Sequence, residues 1–229
     1  MSNIAYIDNI PFPVSDGETI LEFVRRNRGR DLIPTLCQAD NLENYGSCRI
    51  CSVEVALKEN GPSRVMASCH TPVTPGHYIY PSTDRITRLR KNIIELVLSE
   101  YPEASITPDA GMLPTEFQSV VATTCISQVR YPVSVAKHEK DMSHPYVWSD
   151  LSECIKCYRC VRACDELQAE HVLGIYGRGS QSRIIKGSDQ NFIDSPCVSC
   201  GACVQTCPTN ALTDRYASKT VAADRTVRT

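Results

Sequence analysis

Two cysteine-rich segments in the C-terminal half repeat the same spacing. The first run is followed by a second run 43 positions later, and the two read Cys154-x2-Cys157-x2-Cys160-x3-Cys164 and Cys197-x2-Cys200-x2-Cys203-x3-Cys207. Three thiolates separated by two residues each can surround one corner of a metal cluster, whereas a tetrahedral zinc site uses paired C-x2-C groups. The third closely spaced cysteine of each run therefore favours an iron-sulfur cluster over zinc.

The fourth cysteine of each run is expected to bind the cluster of the other run. This exchange is typical of the bacterial two-cluster motif, in which a proline follows the last cysteine, as Pro208 follows Cys207. We therefore predict two 4Fe-4S clusters, the first held by Cys154, Cys157, Cys160 and Cys207 and the second by Cys164, Cys197, Cys200 and Cys203. Asp165 replaces the proline of the first run, which changes the turn but not the number of ligands.

A third group of cysteines lies in the N-terminal part of the chain, at Cys37, Cys48, Cys51 and Cys69. A glycine-containing loop, Tyr45 to Ser47, precedes the close pair and can supply backbone N–H donors to sulfide. Four thiols in this setting predict a 2Fe-2S cluster, although the spacing is not the plant-type C-x4-C-x2-C. Spacing alone leaves a mononuclear iron or zinc site open.

The composition narrows the class of protein. The 229 residues are 42% hydrophobic and 22% charged, which excludes wholesale disorder. The formal charge of -2, without a basic run, gives no sign of binding to nucleic acid or to an anionic membrane. An odd number of cysteines, 13, and an N-terminus without the features of a secretory signal predict a reducing, cytoplasmic location. No apolar stretch approaches the roughly 18 residues of a membrane span.

The elements that must position the N-terminal cysteines can be predicted from local signals. Alternation around Asp8-Asn9 predicts a β-hairpin over 3–14. Thr19 and Gly29 are the expected N-cap and stop of a short helix, whose inner face carries Ile20, Leu21, Phe23 and Val24. Residues 51–57 alternate, which predicts a strand that leaves directly from a cysteine and places Val53, Val55 and Leu57 on one side.

The middle of the chain is expected to be mainly helical. Helical spacing predicts a helix over 84–100 with an apolar face and basic side chains mostly in solvent, the apolar residues being Ile86, Leu89, Ile93, Leu96 and Val97. A proline-rich loop over 101–114 and a short helix over 115–124 should follow. Cys125 is isolated from the other cysteines, and we expect it to be a buried thiol.

Longer motifs resemble known iron-sulfur proteins. Residues 34–37 (PTLC), 46–53 (GSCRICSV) and 69–70 (CH) resemble the 2Fe-2S domain of the large iron-sulfur subunit of respiratory complex I, a module shared with NAD-reducing hydrogenases and NAD-linked formate dehydrogenases. Residues 157–168 and 197–209 resemble the ferredoxin-like domain of molybdenum- or tungsten-dependent formate dehydrogenase alpha subunits.

The resemblance implies an α+β fold with two ferredoxin-like parts. It predicts a β-grasp 2Fe-2S domain over 1–81, a helical connector with a degenerate cluster site over 82–147, a bacterial-type 2x(4Fe-4S) domain over 148–213, and a tail or linker over 214–229. In the family a further cluster is held by H-x3-C-x2-C-x5-C. Here that register falls on Tyr101, Ser105, Pro108 and Pro114, so we expect that cluster to be absent.

The resemblance also implies a function in electron transfer. We expect one 2Fe-2S and two 4Fe-4S clusters in an iron-sulfur subunit of a NAD(P)-linked complex, without a substrate site of its own. Its partners would be a flavin/NADH-binding subunit and a catalytic subunit, which is a molybdopterin subunit if the complex is a formate dehydrogenase and a nickel-iron subunit if it is a NAD-reducing hydrogenase. A free soluble ferredoxin is the third alternative, and direct membrane insertion is not expected.

Overall fold

The computed structural model describes residues 3–110, 112–135 and 138–216. The chain divides into two compact units. The first contains the described residues up to Leu96 together with Thr124–Gln128, and the second contains Val97–Thr123 and the chain from Val129 onward. Most of the predicted tail over 214–229 lies outside the described residues, which end at Tyr216.

The first unit is built on a mixed five-stranded sheet. Its strands in chain order are β1 (Ile4–Ile7), β2 (Ile10–Pro13), β3 (Ser52–Ala56), β4 (Ser63–Ala67) and β5 (Tyr78–Tyr80), and they lie in the order β2-β1-β5-β3-β4. β5 pairs parallel with β1 and antiparallel with β3. Asp8 and Asn9 adopt positive φ angles of 49° and 66°, as a two-residue hairpin turn requires. The hairpin predicted over 3–14 is confirmed.

One helix, α1 (Ile20–Arg28), contributes its apolar face to the core of this sheet. The Thr19 side chain accepts a hydrogen bond from the backbone N–H of Glu22, and the Glu22 carboxylate accepts one from the backbone N–H of Thr19. This capping box satisfies two otherwise free donors of the first turn. Gly29 follows with φ of 89°, so both predicted ends of the helix are confirmed.

The predicted strand after Cys51 is confirmed as β3, but one of its side chains was placed wrongly. All five residues of β3 are buried, including Val53 and Val55. Leu57 is 77% exposed, because the strand ends one residue earlier, at Ala56, and the chain then turns. The alternation predicted through Leu57 is therefore wrong at its last position.

The long predicted helix is confirmed as α2 (Asp84–Leu98). Its most buried apolar residues are Ile86, Ile94 and Leu98, which follow a four-residue period, and Leu96 lies off that row and is 52% exposed. The prediction that Leu96 lies on the buried face of the helix is therefore wrong. Arg90 lies on the buried row, so the prediction that the basic residues face solvent is wrong for Arg90. The second short helix is confirmed as α3 (Glu116–Thr123).

The second unit combines two small antiparallel ribbons with α3 and two shorter helices. β6 (Val147–Ser149) pairs with β9 (Leu212–Asp214), and β7 (Leu173–Tyr176) pairs with β8 (Arg183–Lys186). The helices α4 (Arg159–Arg162) and α5 (Ala202–Thr206) begin inside the two cysteine runs. Leu173, Ile184, Phe192 and Leu212 form its core. In the part of the chain that is described, no helix is long and apolar enough to cross a membrane.

Candidate metal centres

The two cysteine runs share one backbone path. Lys156 and Tyr158 of the first run have φ angles of 55° and 62°, and Ser199 and Gly201, at the equivalent places of the second run, have 60° and 75°. In each run the backbone N–H two residues after the first cysteine donates to its sulfur at 3.4 Å. Left-handed residues bend the chain tightly, so that each loop wraps around one point before its helix begins.

The first cavity is lined by cysteines from both runs, namely Cys154, Cys157, Cys160 and Cys207. Its empty space is about 370 Å³, part of which is open to solvent, and its other walls include Leu151, Ile184 and Leu212. Burial raises the pKa of the Cys154 thiol to about 11. Burial, followed by the neighbouring Cys207, also raises the pKa of Cys157. Four thiols thus face one largely apolar space that favours their neutral form unless a cation compensates their charge.

The second cavity is lined by Cys164, Cys197, Cys200 and Cys203. Val147, Val172 and Phe192 also line it, together with Glu170. Burial raises the pKa of the Cys203 thiol to about 12, and the nearby Cys197 and Cys200 act in the same direction. The structure therefore brings together the same two sets of four cysteines that the exchange motif predicts, while their binding of iron stays a prediction.

The N-terminal cysteines form two hydrogen-bonded pairs of thiols. Cys37 interacts with Cys48, whose backbone N–H donates to the Cys37 sulfur at 3.4 Å, and Cys51 interacts with Cys69. The hydrogen bond from Cys69 lowers the pKa of Cys51 to about 6, although burial opposes it. Three of these thiols are buried and Cys48 is half-buried. Thiolate character is what metal ligation needs.

Arg90 holds the loop between Cys48 and Cys51, a role that the sequence did not reveal. Its Nε donates to the carbonyl of Ile50 at 3.1 Å and its Nη2 to the carbonyl of Ser52 at 3.0 Å. Burial lowers the pKa of Arg90 to about 10, which leaves it charged at neutral pH. In the sequence, only its position four residues after Ile86 indicated that Arg90 lies on the apolar face of the helix.

Two of the four connector positions of the family's additional cluster, Tyr101 and Ser105, make ordinary packing and hydrogen-bond contacts, while Pro108 and Pro114 are exposed. Tyr101 is 3% exposed, and its ring lies 4.9 Å from that of Phe117 between centroids. The Tyr101 hydroxyl and the Ser105 hydroxyl both donate to the Glu153 carboxylate, at 3.4 and 3.1 Å. Cys125 is exposed, so its expected burial is wrong. It lies just beyond the end of α3 with a φ of 50°, in a turn that leaves its side chain in solvent.

The arrangement of the thiols fits iron-sulfur clusters. The cysteines surround two spaces in the second unit and form two pairs in the first, with backbone N–H donors directed at sulfur. Thiolate sets of four with N–H donors nearby are the ligands of iron-sulfur clusters.

Comparison with known families defines the class. Residues 4–84 match the model of the 2Fe-2S iron-sulfur cluster binding domain. Residues 144–213 match the ferredoxin-like domain of NADH-quinone oxidoreductase subunit 3. The chain is therefore a mixed α/β iron-sulfur protein that carries one domain of each of these families.

Individual relatives come from several redox complexes. The chain is 32% identical over 216 residues to the NADP-reducing hydrogenase subunit HndD of Solidesulfovibrio fructosivorans, covering 91% of this chain and 35% of the relative. It is 24% identical to a putative formate dehydrogenase of Staphylococcus haemolyticus, covering 91% of this chain and 20% of the relative. A chain in the crystal structure of a NAD+-reducing [NiFe]-hydrogenase in the H2-reduced state superimposes with a TM-score of 0.78 and 29% identity, covering 95% of this chain and 89% of that one.

Proposed function

We propose that the chain is an iron-sulfur electron-transfer subunit of a NAD(P)-linked oxidoreductase complex. The observation that carries this proposal is the grouping of the eight C-terminal cysteines into two cavities, each with three ligands from one run and one from the other. Such a site serves two clusters held a short distance apart. We assign the first 4Fe-4S cluster to Cys154, Cys157, Cys160 and Cys207 and the second to Cys164, Cys197, Cys200 and Cys203.

We assign a 2Fe-2S cluster to the first unit. The pairing of Cys37 with Cys48 and of Cys51 with Cys69 supports one iron for each pair of thiols. The five-stranded sheet with one capped helix supports a β-grasp arrangement over 1–81. By the same reasoning 82–147 is a connector and 148–213 a two-cluster ferredoxin-like domain, which makes three clusters in all.

The residues of the chain set the environment of electron transfer. Bound clusters supply reversible one-electron chemistry. The apolar side chains around both cavities limit the access of water, and the backbone N–H groups directed at Cys154 and Cys197 stabilise charge on sulfur. Arg90 adds a fixed positive charge beside the 2Fe-2S ligands. The N–H donors and Arg90 favour uptake of an electron, whereas the exclusion of water by the apolar walls opposes it.

The complex and its location are part of the proposal. Relatives named as hydrogenase and formate dehydrogenase proteins support a hetero-oligomer that contains a flavin/NADH-binding subunit and a catalytic subunit. The motifs of the cysteine runs favour formate dehydrogenase, whereas the higher identity to HndD favours a hydrogenase. The cysteine content favours the cytoplasm as a reducing compartment.

The first test is chemical analysis of anaerobically purified protein. We expect about ten irons and matching acid-labile sulfide per chain, with one 2Fe-2S and two interacting 4Fe-4S signals in electron paramagnetic resonance (EPR) of the reduced sample. Zinc with little iron would overturn the electron-transfer function. About fourteen irons would show that the connector holds a cluster after all.

Purification of the native complex separates the two catalytic partners. Molybdenum or tungsten in the purified complex, with formate-dependent reduction of the clusters, supports the formate dehydrogenase assignment. Nickel or hydrogen-dependent reduction supports the hydrogenase. A particle no larger than this chain would favour the free ferredoxin over both.

A further inference from the structure

The two halves of the cysteine repeat differ in charge at equivalent positions. The first run carries three basic residues between and beside its cysteines, whereas the second run carries none, the equivalent pairs being Lys156 and Ser199, Arg159 and Ala202, and Arg162 and Gln205. Because the backbone follows the same path in both runs, these side chains start from matching places. The two cluster sites therefore share a geometry but not an electrostatic environment.

Arg159 shows how a paired cation can still leave a net positive potential. Its Nη1 and Nη2 donate to the Glu116 carboxylate at 2.6 and 3.2 Å, and its Nε donates at 3.2 Å to Thr206, the residue before the ligand Cys207. The side chain of Arg159 is 5% exposed, while that of Glu116 is 47% exposed. Water screens the exposed carboxylate much more than the buried guanidinium.

The other two ion pairs of the first run have the same asymmetry. Arg162 is 10% exposed and donates at 2.8 Å to Glu166, which is 24% exposed. Lys156 is 24% exposed and pairs with Glu100, which is 35% exposed. In all three pairs the cation is the more buried partner and is the residue attached to the ligand loop. Water therefore screens each cation less than its carboxylate, so the three pairs leave a net positive potential around the first run.

Other charges near the two sites do not reverse this difference. Glu153 precedes the ligand Cys154, and Glu170 lines the second cavity, so each site has one further carboxylate. His144 contacts Ser199 in the second run through Nε2 at 3.1 Å. Its Nδ1 accepts hydrogen bonds from the backbone N–H groups of Tyr146 and Val147, so its ring is neutral and adds no cation. One effect opposes this difference between the two sites. Cys200 of the second site is exposed, and water also stabilises the negative charge that reduction adds to a cluster.

We propose that the 4Fe-4S cluster held by Cys154, Cys157, Cys160 and Cys207 has the higher reduction potential of the two and holds the electron when this unit is reduced once. The inference rests on the function proposed above. Reduction adds one negative charge to a cluster, and buried cations nearby stabilise that charge. The second run carries no basic residue, and Lys186, which lies 5.3 Å from the ring of Phe192 in the wall of the second cavity, is paired with the still more buried Asp141. The second cluster is then the stronger reductant.

An anaerobic redox titration of the full chain, followed by EPR, tests the order. The variant Cys200→Ser removes a second-site ligand, so the signal that survives in it belongs to the first cluster. We expect the first cluster to be reduced at the higher potential by at least about 59 mV, which is a tenfold preference for a one-electron couple. Reduction of the second cluster first would overturn the proposal and show that exposure dominates.

Two charge variants should move the first cluster in opposite directions. Lys156→Ser installs the side chain that Ser199 provides in the second run, between two ligands of the first site, and we expect it to lower the potential of the first cluster. Glu116→Gln removes the carboxylate that pairs with Arg159, and we expect it to raise that potential. Glu103→Gln, at an exposed glutamate outside these pairs, is the matched control and should change neither cluster. Shifts of the same sign in the two variants would contradict the charge argument.

Iron analysis separates this inference from the function on which it rests. About ten irons per chain with the reversed order of reduction would overturn the inference alone. A wild-type chain that holds no 4Fe-4S cluster would overturn the proposed function. If Lys156→Ser lost its cluster, the order of reduction in the wild type and the direction of the Glu116→Gln shift would still test the inference.

Discussion

The last cysteine of each run determines how the two cluster sites are linked. Cys207 lines the cavity of Cys154, 53 residues earlier, and not that of its own run. We predict that Cys207→Ser removes the first cluster, so that iron falls from about ten to about six per chain. In the Cys207→Ser variant, adding Cys154→Ser should remove no more iron, whereas adding Cys164→Ser should leave about two irons per chain. Iron analysis with EPR of the reduced variants measures all three.

The exposed thiol of Cys125 provides the control for this series. Cys125→Ser should keep every cluster, because the residue lies in neither cavity. If each run instead held its own cluster, the Cys154→Ser/Cys207→Ser double variant would lose about eight irons rather than four. That result would contradict the exchange of ligands.

The half-buried Arg90 should decide how firmly the loop of the proposed 2Fe-2S site is held. Arg90→Gln loses charged hydrogen bonds to the carbonyls of Ile50 and Ser52, each worth about 1.5–3 kcal/mol. We predict that the 2Fe-2S cluster is then lost at a lower temperature and has a lower reduction potential. Visible absorbance on heating and an EPR titration measure the two effects. Arg88→Gln, on the exposed side of the same helix, should change neither.

For single residues, the sequence predicts the candidate ligands better than it predicts the side chains that hold the ligand loops in place. The spacing of the cysteines depends on the geometry of the cluster that they are predicted to bind. The grouping of four cysteines in each of the two cavities could therefore be expected from the sequence. Arg90 could not, because a helical pattern assigns arginine to solvent unless its contacts are known. Cys125 shows the converse error, since a free cysteine is often buried but the turn after α3 leaves this one exposed.

Among the elements, those defined by local signals were predictable from sequence. The Asp8-Asn9 turn and the Thr19 capping box each act within a few residues, and the hairpin and α1 formed as expected. The pairing of β6 with β9 joins segments more than sixty residues apart, and no local pattern encodes it. The bounds 148–213 predicted for the last domain fall within these two strands, but the compact unit that contains them also includes Val97–Thr123 and begins again at Val129.

One buried aspartate joins several elements of the second unit. Asp141 accepts hydrogen bonds from Lys186 of β8 at 2.7 Å, from the backbone N–H of Phe192 at 2.8 Å, and from the hydroxyl of Ser143 at 2.6 Å. We predict that Asp141→Asn costs about 1.5–3 kcal/mol, because it weakens charge-assisted hydrogen bonds to the half-buried Lys186 and to its other partners. The temperature at which the cluster absorbance bleaches measures the loss. Asp189→Asn, in the more exposed pair with Arg183, should have a much smaller effect.

The same aspartate predicts sensitivity to acid. Burial alone would raise the pKa of Asp141, but the hydrogen bonds from Lys186, Ser143 and Phe192 together hold its pKa well below its usual range. A carboxyl whose folded pKa is lowered stabilises the protein above its unfolded pKa of about 3.9 and loses that effect as the pH falls toward the folded value. Wild type should therefore lose more stability than Asp141→Asn between about pH 5 and pH 3. Parallel losses in the two proteins would contradict this assignment.

The three proposed clusters would dominate the charge of the molecule as a whole. The protein alone has a formal charge of -2, and three clusters that each add about -2 would bring the total to about -8 in the oxidised state. Each electron taken up makes it more negative. Subunits that dock on this chain are therefore expected to present positively charged faces.

Partner binding should consequently weaken as salt screens these charges. We predict that the association rate constant of the holo chain with its isolated flavin-binding partner falls by about tenfold or more between about 50 and 500 mM salt. The chain with reduced clusters should associate faster at low salt than the oxidised chain, and the two should converge at high salt. Stopped-flow measurements on both redox states provide the test. An association rate that does not depend on salt would mean that shape and apolar contacts, rather than cluster charge, bring the subunits together.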